Sequence, residues 1–223
     1  MIFYSGHEGK VEENVVTIFD GSMTRLAVDA YIIPHFNDKA SDDGVAGAIE
    51  KAGGKNGLDL YRRFLRETGP QNFGTVLLTE GGGNARYHIH VASVCSGKNN
   101  EFKVVQTGFY NALKIAEEHQ LQSIAVPAMG TGFLGELTDE QSARTMMSAL
   151  HQFSLAGGKM NVQFAIYNDE AARQAFITTL DSKTYVNALD EEGLRKAQKR
   201  QAASAQNTQI EWNVGQFRNT NLR

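Results

Sequence analysis

The sequence has few of the features that mark secreted or membrane-spanning proteins. Its single cysteine, Cys95, excludes an internal disulfide, and we interpret it as a buried or half-buried reduced thiol. No apolar run approaches the roughly 18–20 residues that a membrane span needs. The N-terminus, MIFYSGHEGK, lacks the basic flank and apolar segment of a signal peptide. We therefore expect no membrane attachment and a cytoplasmic location.

An excess of positive charge is also missing. The net charge is −3 and the pI is near 6.1, so the chain has no general electrostatic attraction for nucleic acid. A hydrophobic fraction of 41% and a mean hydropathy of −0.36 are typical of globular proteins. The 223 residues suffice for one domain with a substantial core, or for a domain with an extension.

Short β-branched runs alternate with longer amphipathic segments along most of the chain. This alternation predicts a mixed, mostly parallel sheet with helices on both faces. The predicted strands are NVVTIF (14–19), DAYII (29–33), TVLLTE (75–80), YHIHVASV (87–94), SIAVPA (123–128) and VQFAIY (162–167). The predicted helices are GVAGAIEKAGG (44–54), FKVVQTGFYNALKIAEEHQ (102–120), TDEQSARTMMSALHQFSLAGG (138–158) and EAARQAFITTL (170–180).

Glycine is abundant, with 22 residues, and marks two loops. PHFNDKASDDGVAGAIEKAGG leads from the second predicted strand into a helix that begins near Gly44, and PAMGTGFLGE follows the strand SIAVPA. Such loops lie at the carboxyl ends of parallel strands, where bare backbone amides favour an anion such as a diphosphate. Neither loop matches the Rossmann or P-loop pattern, so an ordinary dinucleotide or ATP site is not supported.

Five blocks together resemble the macro domain, an ADP-ribose-binding α/β module. They are GSMTRLAVDAYII, GVAGAIEKAGG, GTVLLTEGGGNARYHIHVASV, IAVPAMGTGFLG and FAIYND, and they keep the family's order and spacing over roughly residues 12–182. The resemblance implies a three-layer α/β/α sandwich around a central mixed, mostly parallel sheet. It also implies a cleft in which two loops hold the diphosphate and the distal ribose, with no cofactor and no metal. The implied partners are ADP-ribose and ADP-ribosylated proteins.

The resemblance also assigns positions around that cleft. The family's adenine-recognising aspartate falls at Ser22, with Asp20 as an alternative, and Tyr167 stands where an aromatic stacks on adenine. On the residues alone, the loop glycines could be plain turn glycines and Tyr167 could serve ordinary packing. The predicted ligand-binding residues are Ser22, Ile33, Phe36, Gly44, Val45, Gly47, Ala128, Gly130, Thr131, Gly132, Phe133, Leu134 and Tyr167.

The catalytic positions depart from the family pattern. The asparagine that orients the distal ribose in hydrolytic members falls at Phe36, and the aspartate that some members use falls at Ala46. Three side chains remain as catalytic candidates, His35, Asp42 and Asp43, with Asn37 beside them. The two aspartates would ordinarily be solvated, and near a diphosphate they would repel it unless turned to the ribose or bridged by a metal.

The histidines also have a plain structural interpretation. His35 and His88 are more often surface or core residues than catalysts. We expect His88 and His90, which share one predicted strand, to face opposite sides of the sheet.

From Thr184 the composition changes to a charged, Ala- and Gln-rich segment with few large apolar residues. We therefore divide the chain into a macro-like domain, 1–183, and a helical, then extended appendage, 184–223, with Trp212 and Phe217 as anchors for the domain or for a protein partner. Three functions stay open: ADP-ribose binding with weak or no hydrolysis, hydrolysis of ADP-ribosyl derivatives, and a non-catalytic interaction role.

Overall fold

A seven-stranded mixed sheet forms the centre of the protein. The computed structural model describes residues 6–94, 101–132 and 137–186. The sheet order is β1-β2-β7-β6-β3-β5-β4. The five inner strands run parallel, while the edge strands β1 and β4 run antiparallel to their neighbours. The strands are β1 Gly6–Val11, β2 Asn14–Asp20, β3 Val28–Phe36, β4 Val76–Gly82, β5 Ala85–Val94, β6 Ser123–Pro127 and β7 Asn161–Ile166.

Helices cover both faces of this sheet. One face carries α1 Gly44–Ile49, a π-helical segment Glu50–Gly54 and α2 Lys55–Thr68. The other carries α3 Glu101–Glu118, α4 Asp139–Leu155 and α5 Glu170–Ser182. A short 3-10 helix, Met23–Arg25, follows β2. The predicted three-layer sandwich with a mixed, mostly parallel sheet is confirmed.

Strand alternation divides the core between the two faces. Ala30 and Ile32 of β3 belong to the larger cluster beneath α3, α4 and α5, whereas Tyr31 and Ile33 belong to the cluster beneath α1 and α2. Side chains of a strand alternate between faces, so one strand serves both cores. The near-continuous burial of β3 follows from this position at the sheet centre.

One strand and one α-helix were absent from the sequence prediction. Strand β1, GHEGKV, has almost no apolar residues because it lies at the sheet edge, where partial exposure tolerates polar side chains. Helix α2 buries Leu58, Tyr61, Phe64 and Leu65, which is a helical pattern. The glycines before it conceal its start, because Gly53 takes φ +96° and kinks the chain there.

The topology creates a crevice between β3 and β6. Strand β3 connects through α1 and α2 toward β4 and β5 on one side, whereas β6 connects through α4 to β7 on the other. Adjacent parallel strands whose connections leave in opposite directions open a crevice at their carboxyl ends, and α/β proteins bind ligands there. The two glycine loops of the sequence are the loops that follow β3 and β6.

The described chain continues a little beyond α5. Tyr185 is only 2% exposed and lies against the ring of His151, with a centroid separation of 5.7 Å. The core therefore reaches residue 185, and the remainder of the proposed appendage lies outside the described residues. Within the described part of the chain, no helix is long and apolar enough to cross a membrane.

Candidate ligand-binding site

The loop after β3 forms one wall of the crevice. Asp43 precedes α1 in an extended conformation, and Gly44 opens the helix at φ +58°, which glycine adopts without strain. An added Cβ on Gly47 would lie 2.6 Å from the Asp42 carbonyl oxygen, so this position also requires glycine. Val45 is half-buried between them. The loop is therefore tightly wound, with exposed backbone at Gly44.

The loop after β6 forms the opposite wall. Gly130 has φ +84°, and the amide of Leu137 donates to its carbonyl at 3.1 Å, which closes the loop. Ala128 and Thr131 are half-buried, whereas Gly132 is exposed and an added Cβ there meets no atom within 4 Å. Phe133 and Leu134 lie outside the described residues.

Helix α4 begins directly after this loop. Thr138 accepts from the Gln141 amide at 3.2 Å, and the Gln141 side chain accepts from the Thr138 amide at 2.9 Å, which is a capping box. Ser142 donates to the Met129 carbonyl at 2.7 Å. These bonds tie the two ends of the loop to α4.

The loops after β2 and β7 meet at the side of the crevice. The Gly21 amide donates to the Ile166 carbonyl at 2.9 Å. Ser22 caps the 3-10 helix, since its hydroxyl accepts from the Thr24 amide and lies 2.8 Å from the Thr24 hydroxyl. Tyr167, directly after β7, is 66% exposed. An exposed aromatic ring beside a crevice suits stacking on a base better than core packing.

The aspartates of the first loop differ in their surroundings. Asp42 accepts from Arg62 at 3.0 Å, while Asp43 is exposed and makes no side-chain capping bond to α1. Arg62 also donates to Glu50 and to Asp59, each at 2.8 Å. The guanidinium thus offsets part of the negative charge that Asp42 would present to an anionic ligand. Of the two, Asp43 is better placed to contact a ligand.

His35 lies beneath the crevice rather than in it. Its side chain is fully buried, its Nδ1 accepts from the Ser41 amide at 2.9 Å, and its Nε2 lies 3.0 Å from His90 Nδ1. Burial lowers the pKa of His35 to about 3, with the positive charge of Arg62 adding to the effect. A neutral, enclosed imidazole without solvent contact argues against the catalytic role predicted for His35.

The neighbouring residues of β3 differ in exposure. Ile33 is fully buried in the core beneath α1, so its backbone alone is available to a ligand in this structure. Phe36 is half-buried, and the Lys39 ammonium lies 4.6 Å from its ring centroid. An amide at position 36 would offer polar contacts to a ribose, and the phenyl ring offers none.

The prediction that His88 and His90 face opposite sides of the sheet is wrong. Their ring centroids are 6.0 Å apart on the α2 face. Residues two positions apart along a strand point to the same face, so the error was in the periodicity. In the described parts of the chain, no three His, Cys, Asp or Glu side chains are arranged to hold a metal ion.

The fold and loops agree with a known family. Residues 37–146 match the model of the macro domain. The central part of the chain therefore resembles the macro domain family. A relative in Salmonella typhimurium, named O-acetyl-ADP-ribose deacetylase, is 28% identical over 162 residues, which cover 70% of this chain and 89% of the relative.

Solved macro domain structures superpose on this protein. An Oceanobacillus iheyensis macrodomain with ADP gives a TM-score of 0.71 at 18% identity, covering 82% of this chain and 98% of that one. A Trypanosoma brucei macrodomain in complex with ADP-ribose gives 0.62 at 21% identity, covering 73% and 68%. At these identities the likeness establishes the shared macro fold.

Sequence reasoning missed the residues that support the first wall of the crevice. Arg62 and Tyr61 lie on α2, the helix absent from the prediction, and Ser41 contributes only its backbone amide. The apolar spacing of α2 would have revealed its inner face, on which Tyr61 lies. No local pattern reveals the backbone bond of Ser41, because its partner is set by tertiary structure.

Proposed function

We propose that this protein binds ADP-ribose, free or attached to a protein, in the crevice between β3 and β6, with weak or no hydrolysis. The observation that supports this most directly is the pair of tightly turned glycine loops, with Gly44 and Gly130 in left-handed conformations, at the topological switch point. Such loops present backbone amides to a diphosphate at close range. The matched structures with ADP and with ADP-ribose support the same ligand class.

The remaining parts of the ligand have candidate contacts along the same edge. Tyr167 offers an exposed ring for stacking on adenine, and Asp20, also exposed, is an alternative to Ser22 for its amino group because the Ser22 hydroxyl already caps a helix. The distal ribose would lie against Phe36 and the loop that contains Asp43. Its hydroxyls are donors that suit the Asp43 carboxylate.

We propose weak or no hydrolysis because the distal end of the crevice lacks polar side chains at two positions that matter for catalysis. Hydrolysis requires a polar group that orients and activates water, and Phe36 and Ala46 supply none. Loss of one oriented polar group costs on the order of 10²–10³ in rate. The alternative function, hydrolysis of ADP-ribosyl esters, is favoured by the name of the Salmonella relatives and by the exposed Asp43.

Calorimetric titration with ADP-ribose tests the binding proposal. We expect saturable one-site binding, with weaker binding of AMP because AMP lacks the second phosphate and the distal ribose. Absence of any binding of ADP-ribose would reject the proposal and favour a non-catalytic interaction protein.

Turnover assays separate the ADP-ribose-binding function from the hydrolase alternative. We expect mono-ADP-ribosylated protein and O-acetyl-ADP-ribose to be cleaved at least about 100-fold more slowly than by an active family member assayed in parallel. Turnover at the rate of that member, lost in Asp43→Ala, would establish the hydrolase alternative. Asp42→Ala serves as the matched comparison, since Asp42 is engaged by Arg62.

Two further parts of the proposal concern the cell and the tail. We propose a cytoplasmic location, and we propose that the segment around Trp212 and Phe217 docks either on the domain itself or on a protein partner. The composition of 184–223 supports the second part, because isolated large apolar residues in a polar segment suit docking better than core formation.

A further inference from the structure

A chain of three hydrogen bonds runs beneath the crevice from Ser41 to Thr79. The Ser41 backbone amide donates to His35 Nδ1 at 2.9 Å, His35 Nε2 lies 3.0 Å from His90 Nδ1, and His90 Nε2 lies 3.0 Å from Thr79 Oγ1. A backbone amide can only donate, so His35 Nδ1 is unprotonated and the proton of the neutral ring is on Nε2. His35 therefore donates to His90, and His90 donates to Thr79.

The two rings at the centre of this chain are held rigidly. His35 and His90 are fully buried, and the Tyr61 ring stacks on both at a centroid distance of 4.5 Å. Burial lowers the pKa of both imidazoles, which keeps them neutral and preserves the direction of the bonds. Thr79, on β4, anchors the far end of the chain in the sheet.

The near end of the chain holds the loop that borders the crevice. The pairing of β3 with β5 slips between His35 and Phe36, so the strand bends where the loop begins. Ser41 lies six residues after His35 and two before Asp43, which precedes α1. Asp42, the residue after Ser41, accepts a hydrogen bond from Arg62 of α2. Two consecutive loop residues are therefore fixed, one to the core and one to α2.

We propose that His35 is a positioning residue for ligand binding, which fixes the β3–α1 loop through the Ser41 amide without touching the ligand. The inference rests on the proposed ADP-ribose function. Its chemistry is specific, because only an acceptor at the position of Nδ1 satisfies the Ser41 amide. A tenfold loss of affinity corresponds to about 1.4 kcal/mol, which lies within the cost of leaving a buried donor such as the Ser41 amide unpaired.

Two substitutions of His35 separate the Ser41 bond from the His90 bond. The side-chain oxygen of His35→Asn reaches the position of Nδ1 and accepts from Ser41, while the longer His35→Gln places its amide near Nε2 and His90. Both remove the ring that stacks on Tyr61, so both lose similar packing. We expect His35→Gln to weaken ADP-ribose binding about tenfold and His35→Asn to recover most of that loss, at comparable urea midpoints.

Phe109→Leu provides the control for lost stability. Phe109 belongs to α3 and is buried against the opposite face of the sheet, so the change destabilises the fold without touching the loop. Its affinity for ADP-ribose should equal that of the wild type. If the two His35 variants bind equally, or if affinity follows stability across all three variants, His35 has only a structural role and the inference is wrong.

Amide hydrogen exchange of the wild-type protein tests the same bond without a variant. The Ser41 amide should exchange at least about 100-fold more slowly than a solvated loop amide, because its hydrogen bond is to a buried acceptor. Exchange at the rate of an exposed loop overturns the inference, even where neither His35 variant folds. If the wild type binds no ADP-ribose, the proposed function fails, while this exchange measurement still decides whether His35 holds the loop.

Discussion

At the scale of single residues, the site depends on backbone conformations that only glycine adopts easily. Gly44 and Gly130 have φ values of +58° and +84°, and a residue with a side chain would be strained at either position. Gly132 is different, because its conformation is not left-handed and an added Cβ meets no atom within 4 Å. A larger residue at Gly132 is therefore tolerated by the fold, and its effect reports on the ligand alone.

Gly132→Val should weaken ADP-ribose binding at least several-fold and leave the urea midpoint unchanged. The branched side chain would occupy the space through which the loop amides reach the diphosphate. Calorimetry measures the affinity, and Gly132→Ala, with a smaller side chain, should give a smaller loss. If Gly132→Val binds as tightly as the wild type, the β6–α4 loop is not a phosphate loop.

At the scale of elements, helix α4 anchors the loop from its C-terminal side. The capping box of Thr138 and Gln141 fixes where the helix begins, and the Ser142 hydroxyl fixes the Met129 carbonyl at the start of the loop. A helix that started one residue later would release the loop it follows. The element therefore contributes to the site without supplying a predicted ligand contact.

Thr138→Ala should lower the free energy of unfolding by about 1 kcal/mol, which is the usual cost of losing an N-cap. Thr138→Ser keeps the hydroxyl and should recover most of the stability. Urea denaturation measures both variants. Equal stability of Thr138→Ala and the wild type would show that the capping box does not stabilise α4.

At the scale of the whole molecule, the buried histidines set a pH dependence. Burial lowers the pKa of His35 to about 3 and of His88 to about 4, and that of His90 lies well below its ordinary value. In the unfolded chain each titrates near about 6.5. At pH values between the folded and the unfolded pKa, the unfolded chain binds more protons than the folded chain. The stability that the neutral imidazoles contribute is therefore fully present above about pH 6.5 and is lost as the pH falls toward 4.

The free energy of unfolding should therefore fall between pH 7.5 and pH 5, with a limiting slope of about 1.4 kcal/mol per pH unit for each titrating histidine. Over this range most carboxylates stay ionised in both states. His35→Asn should show a shallower slope than the wild type, because it removes one of the buried imidazoles. Urea titrations at several pH values measure the slopes, and a flat profile would show that the imidazoles are not held neutral.

The tail is the second whole-molecule question. Because Tyr185 belongs to the core, we place the truncation after residue 186 and expect the remaining domain to fold and to keep its affinity for ADP-ribose. Residues of α4 and α5 line a groove that also reaches Thr184, close to where the tail begins. This groove is a nearby surface on which the tail can dock. Circular dichroism and calorimetry of the truncated chain test this expectation. A truncated chain that unfolds would show that the tail is part of the domain.

Fluorescence tests whether the tail docks on the domain. Trp212 is the only tryptophan of the chain, so the emission reports on the tail alone. A docked indole is shielded from water, and we expect blue-shifted emission that iodide quenches poorly. An emission spectrum of a fully exposed indole would exclude docking within the monomer and favour a tail that binds a partner.

The sequence by itself determined most of the strands and helices and the two glycine loops of this protein. Alternating β-branched runs and helical periodicity located six of the seven described strands, and the glycine clusters located both walls of the crevice. These features are local, since strand and helix patterns and left-handed turns depend on neighbouring residues. Helix α2 was missed although its apolar spacing is regular, because the glycines before it obscured its start.

The tertiary structure alone decided what the polar residues around the loops do. His35 lies on β3 next to Phe36, but its side chain points into the core. Its partners there are His90 and the Ser41 amide. Asp42 meets Arg62, twenty residues away, because α2 folds back over the loop. Such pairings depend on which faces the sheet brings together. Local patterns of residues do not record that information.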